Sequence, residues 1–236
     1  MTQTITLDVR KGSGGKAILC EKLESLEAAV VRARKYPADS RRTILLGRGK
    51  YFLEQALVLD QRDRGLTIAA QPGARPILVG GRLLRNWKPA GKKLWSVDLP
   101  EVREGKWDFR VLIVNGRFAK RTRFPASGFL QNRNKWDVPW MSTTGGGWQR
   151  KPTESELMTM LYDPKDLGTW LDIRNAEFTI YHMWDESVVG IASMDTKTHQ
   201  LTFRNPSGHP PGAFKVNKYI IWNIREGMTE PGQWFL

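Results

Sequence analysis

The sequence contains a single cysteine, Cys20, which excludes an internal disulfide. Its three histidines are His182, His199 and His209. With one cysteine, that set is too sparse for a structural zinc site, whose ligands come as closely spaced Cys and His pairs. No cofactor motif and no metal-ligand cluster is visible. No run approaches the roughly 20 apolar residues of a membrane-spanning helix, so no membrane partner is expected. The opening MTQTITLDVRKG lacks an apolar core behind a basic head and does not read as a signal peptide. The compartment stays open on this reading. Acidic residues are also short, 24 Asp and Glu against 37 Lys and Arg, for a net charge of +13.

That imbalance invites a nucleic-acid reading. The basic residues, however, fall in scattered clusters at 32–35, 41–42, 92–93 and 117–123. None repeats along a long helix face, so a solvated basic surface is favoured and nucleic acid is disfavoured. What the chain has in quantity is tryptophan, ten in 236 residues. Hydrophobic residues at 40% and charged residues at 26% are ordinary for a folded protein with room for one large or two small domains.

Local patterns are mostly of strand type. TITLDV (Thr4–Val9) alternates and is β-branched. KGSGGK follows as a turn and lacks the residue order of a phosphate-binding loop. Leu23, Leu26, Val30 and Ala33 then fall on one stripe of a helix, and Pro37 stops it. Next come the short runs RTILLGR, KYFLE, ALVLD, GLTIAAQ and RPILVGG, about 10–12 residues apart. No second long helix separates them, which disfavours βαβ units and favours an all-β coil, sandwich or barrel. Short strands at this step are also how a parallel β-helix reads, since its rungs bury their faces only against neighbours.

The second part reads as antiparallel. Trp87 and Trp95 flank a turn in a hairpin. VLIV, Asn115-Gly116 and RFAKRTRF make the clearest hairpin signal, because Asn-Gly supplies the two positive-φ residues of a type I′ turn. Alternation there puts Arg117, Arg121 and Arg123 on one face, either an anion site or the wet face of the sheet. GGGWQRKP reads as loop, and SELMTMLYDPKDLGTWLDI as one or two helical turns broken at Pro164. AEFTIYHMW, VVGIASMD, HQLTFRN and KYIIWNIRE read as four more strands.

In order and spacing these stretches resemble the N-terminal region of right-handed parallel β-helix proteins of the carbohydrate-active type. These include glycoside hydrolases described as α-L-fucosidases and xylanases, and β-xylosidases. TITLDV, the helix LESLEAAVVRAR and GKYFLEQALVL look like the family's opening strand, capping helix and first rung. LTIAAQPGARPILVGGRLLRNW looks like its next rungs. FRVLIVNGRFAKRTRFP resembles its NG hairpin, AEFTIYHMWDESVVGIASMDTKTHQLTF its Trp-containing strand pair, and YIIWNIREGMTEPGQWFL its PGEW segment. Gln233 replaces that segment's Glu, and the family's opening Asp-Asn-Pro loop is shortened here.

The resemblance implies a mainly β chain. Residues 1–81 would form the N-terminal cap and first rungs of a right-handed parallel β-helix, and 82–236 an inserted antiparallel β-domain returning to that helix. It implies further rungs beyond Leu236, with the catalytic carboxylates on them. The function expected is therefore the N-terminal portion of a polysaccharide-degrading, glycoside hydrolase-like protein, not catalytic alone. The alternative is a stand-alone module binding an acidic polysaccharide through its charge and tryptophans. Either way the expected partner is a carbohydrate.

Glycoside hydrolysis usually needs two carboxylates about 5–9.5 Å apart. No acid pair is singled out by spacing, so no catalytic residue is assigned. Asp185 and Glu186 are adjacent on a strand-like stretch and point apart. Trp184, Glu226 and Trp234 are the candidate sugar-contacting residues. Trp184 and Trp234 offer flat rings, and Trp234 is expected at the surface because a turn precedes it. Trp222 shares its strand face with Ile220 and Ile224 and is expected to pack. A Ser-His-Asp triad is not supported, since no nucleophile elbow exists and His182 falls on a strand pattern.

Overall fold

The computed structural model describes residues 5–10, 18–20, 25–37, 39–91, 93–136 and 151–236. The KGSGGK turn, Leu23 and the GGG stretch fall outside the described residues. The fold is mainly β, and among the described residues no sheet closes on itself. Among the described residues no helix is long and apolar enough to cross a membrane. The chain divides into two compact units, Met1–Pro100 and Glu101–Leu236. The boundary expected near Gly81 therefore falls inside the first unit, which runs on through the Trp87/Trp95 hairpin.

Unit 1 begins with β1 (Ile5–Arg10) and β2 (Ile18–Cys20), followed by helix α1 (Leu26–Ala33). Ser25 caps the helix by accepting the Ala28 amide at 3.1 Å. Leu26, Ala29, Val30 and Ala33 form its buried face; Leu26, Val30 and Ala33 belong to the stripe expected from spacing, and Ala29 joins them. They pack with Ile5, Leu7, Ile44, Leu46 and Tyr51 into one core.

The strands that follow are β3 (Arg41–Leu46), β4 (Gly49–Leu53), β5 (Leu66–Ala70) and β6 (Pro76–Gly80). β5 lies parallel to β3, with Arg42 opposite Leu66 and Leu46 opposite Ala70. β6 lies parallel to β4, with Gly49 opposite Pro76 and Leu53 opposite Gly80. Two consecutive strands thus repeat, in the same order and direction, against the two before them. β7 (Lys88–Pro89) and β8 (Trp95–Ser96) close the unit as the expected antiparallel hairpin.

ALVLD, expected as a strand, joins no ladder. Its backbone is diverted to a cap. The Val58 carbonyl accepts from Arg34 Nη2 at 2.9 Å, and Asp60 and Asp63 form a reciprocal capping box on a short 3₁₀ turn. Local side-chain bonds here outcompete the strand pattern. Arg42 anchors the same segment. It is buried, and its guanidinium donates to the carbonyls of Ala33, Arg62 and Arg64.

Helix α2 (Pro100–Arg103) spans the boundary and opens unit 2. There β9 (Leu112–Val114) and β10 (Arg117–Arg121) form a two-residue hairpin, with Asn115 at φ 51° and Gly116 at φ 79° as the turn requires. The remaining elements are β11 (Arg123–Phe124), β12 (Leu130–Gln131), α3 (Glu154–Met158), β13 (Thr159–Leu161), β14 (Glu177–Tyr181), β15 (Glu186–Asp195), β16 (Gln200–Phe203), β17 (Lys218–Trp222) and β18 (Gln233–Trp234). One antiparallel sheet runs β11-β17-β14-β15-β16-β13, with β12 also on β17. Phe178, Ile180, Val189, Ile191, Tyr219 and Ile221 face one side of it and make the core. β18 pairs with β10 in parallel, so Arg121 sits opposite Trp234.

Alternation fails at Thr122, between β10 and β11, where the chain leaves one sheet for the other. Thr122 is fully buried. Its amide donates to the Trp234 carbonyl at 2.8 Å, and its carbonyl and hydroxyl accept the amides of Asn223 and Ile224. The arginines on either side, Arg121 and Arg123, are half-buried.

Candidate functional site

The turn joining β14 to β15 carries Trp184. The His182 amide donates to the Asp185 carbonyl at 2.9 Å and closes it. Below the turn lies a buried polar staple. His182 Nε2 is 2.9 Å from Ser187 Oγ and 3.3 Å from Ser207 Oγ. The Gly208 amide donates to Ser187 Oγ at 2.8 Å. Burial holds His182 down, to about 4, with nearby His209 adding to the effect and Asp185 opposing it. The ring is therefore neutral at neutral pH. Ser187 and His182 have the separation of a nucleophile and its base. Both are buried, and His182 Nδ1 has no hydrogen-bond partner to orient it. The arrangement is a structural clasp between the turn and the loop after β16.

Above the clasp, Trp184 remains 55% exposed. Its ring meets Phe214 at 4.9 Å and His209 at 5.8 Å between centroids. His209 Nε2 lies 3.4 Å from Asp185 Oδ2. Phe214 comes from a loop of left-handed backbone, with Gly212 at φ 82°, Phe214 at 59° and Lys215 at 61°. Gly212 cannot be replaced freely, because a Cβ there would fall 2.8 Å from Asn132 Oδ1.

Trp234 departs from its surface expectation. It is 8% exposed, stacks on Phe109 at 5.2 Å and donates from Nε1 to the Ala119 carbonyl at 3.1 Å. The turn before it positions it inward through the β18 pairing. Glu226 is exposed on a short 3₁₀ turn, Arg225–Gly227, just after β17. Trp222 is half-buried, with its Nε1 donating to Thr179 Oγ1.

These three candidates do not converge. Trp222 at the end of β17 pairs with Glu177 at the start of β14 and with Arg123 of β11, which places Glu226 and Trp234 by that end of the sheet. Trp184 follows Tyr181, at the opposite end of β14. Five strand residues, about 3.3 Å each, separate the two ends.

The end near Trp234 holds an ion cluster. Arg110 Nη2 and Arg121 Nη1 grip the two oxygens of Glu177 at 2.9 and 2.6 Å. Burial works against the Glu177 carboxylate, but the hydrogen bonds from both arginines prevail and hold its pKa below the ordinary value. Arg123 donates to the carbonyls of Pro125 and Gly128. Arg121 and Arg123 are thus engaged within the fold, which leaves Arg117 as the exposed member of the three-arginine face. Sequence reasoning did not find Ser187, Ser207 and Phe214 around Trp184. The irregular SGHPPG stretch, residues 207–212, was a signal for Ser207 alone.

Among the described residues, no group of three or more His, Cys, Asp or Glu side chains is placed to hold a metal ion. No family model matches this chain, and neither a curated protein nor a solved structure matches it.

Proposed function

We propose that this chain is the N-terminal portion of a polysaccharide-degrading, glycoside hydrolase-like protein built on a right-handed parallel β-helix. Unit 1 supplies the cap and first rungs, and unit 2 is the inserted antiparallel β-domain. The observation that carries this reading is the inward row of side chains on the parallel ladders. Arg42, Ile44, Leu46 and Tyr51 of the first strand pair are buried. Leu66, Ile68 and Leu78, directly opposite three of them on the second pair, are only half-buried or exposed. β5 and β6 are both edge strands. A coil that repeats at roughly 25 residues buries such a row by adding another rung. The motif order described above supports the same parent.

The reading makes this chain catalytically inert alone. Glu177 is held by two arginines, Asp185 faces His209, and Glu226 stands exposed at the far end of the sheet from Trp184. None of these forms a carboxylate pair across a cleft. Hydrolysis of soluble polysaccharides by the purified chain, followed by reducing-end release, should stay at the buffer rate. Turnover abolished by substituting one of its own carboxylates would overturn the inert reading. The alternative, an acidic-polysaccharide module, draws on the +13 charge. It is weakened because Arg34, Arg110, Arg121 and Arg123 are engaged by carboxylates or carbonyls of the fold.

A further inference from the structure

Trp184 is presented as a rigid, outward ring. Its turn is closed by the His182–Asp185 hydrogen bond and clasped from below by Ser187 and Ser207. Phe214 meets it at an interplanar angle of 41° and His209 at 76°, so both brace the indole without covering it. Phe214 and Lys215 hold adjacent left-handed conformations that non-glycine residues rarely adopt, and strain of this kind concentrates at ligand sites. The rim is polar. The Asp185 side chain is half exposed beside His209, and Lys215 is exposed.

We propose that Trp184 is a stacking platform for one pyranose ring of a glycan, with Asp185 accepting a hydrogen bond from a ring hydroxyl. A pyranose has a flat C–H face comparable to an indole and a rim of hydroxyls, which suits one braced aromatic beside one carboxylate. A stable protein partner would need on the order of 800 Å² per side. A whole tryptophan side chain offers only about 150–250 Å², and at this turn only Met183 adds a large exposed apolar neighbour. The site takes its ligand class from the carbohydrate reading above, while its geometry lies wholly within unit 2.

Affinity electrophoresis of the full chain tests it, in native gels containing soluble xylan, mixed-linkage β-glucan or polygalacturonate. The expected result is retardation in at least one gel, with apparent affinity reduced at least about tenfold in Trp184→Ala. Asp185→Asn should weaken it as well. Trp95→Ala, which removes another exposed tryptophan, should leave it unchanged. Melting temperatures of all variants check that each is folded. No retardation in any gel would overturn the proposal, as would retardation that Trp184→Ala leaves intact. Retention by polygalacturonate alone that salt abolishes and Trp184→Ala does not affect is charge binding, and also overturns it. Any of these failures leaves the parallel ladders of unit 1, and the coil reading built on them, in place.

Discussion

Tyr51 and Leu78 lie directly opposite each other on parallel strands, yet Tyr51 is 4% exposed and Leu78 is 49% exposed. Neighbours in a parallel ladder point to the same side, so the difference lies in what covers each one. Tyr51 packs in the unit 1 core and donates to the Gly47 carbonyl at 3.0 Å. Leu78 is the next step of the same row. Tyr51→Ala should therefore destabilise unit 1 by about 3–5 kcal/mol, whereas Leu78→Ala should cost less than about 1 kcal/mol. Urea unfolding of both variants checks the contrast. Equal losses would mean that Leu78 is already covered.

The open β5 and β6 edges should also make the isolated chain self-associate. Substituting Leu78→Lys or Ile77→Lys places a charge on that edge and should shift the chain toward monomer. Sedimentation velocity over a concentration series reads the change. No dependence on concentration in the unsubstituted chain would contradict the expectation.

Arg42 is a buried cation whose partners are three backbone carbonyls. Arg42→Met should cost about 3–5 kcal/mol, because those carbonyls lose a donor they cannot replace inside the core. Arg42→Lys should recover only part, since an ammonium cannot span the same fork. Chemical denaturation of the two variants gives the order directly.

The acid sensitivity of unit 2 should fall in two windows. His182 is held neutral in the fold, so its contribution is complete above about 6.5 and is lost as pH falls toward about 4. The loss is of order 3 kcal/mol. Glu177 is held ionised, so its contribution is present above the ordinary Glu value and is lost only as pH falls below it. His182→Gln should flatten the stability profile in the upper window, and Glu177→Gln in the lower one. Denaturation midpoints taken across pH 3–8 would separate them, and a profile unchanged by His182→Gln would refute the first assignment.

Much of the fold was legible because the governing signals are local. The apolar stripe of α1 is buried, and Asn115-Gly116 turns the β9–β10 hairpin. What was not legible depends on partners distant in sequence. ALVLD looks like a strand until Arg34, 24 residues before Val58, takes its carbonyl. Arg121 looks like a surface residue until Glu177 arrives from β14. Trp234 follows a turn and looks exposed, but the ladder with β10 draws it onto Phe109. Trp184 looks like the end of a strand, but the turn closed by His182 and Asp185 leaves it exposed. The clasp beneath it was hidden because His182, Ser187 and Ser207 come from three segments.

The reading frame downstream of the Leu236 codon is the most direct test of the central claim. The account predicts that it continues into glycine- and asparagine-rich strand repeats at the roughly 20–30-residue step of a coil, which would supply rungs for the β5 and β6 edges. A stop codon there, or a continuation without such repeats, would contradict it.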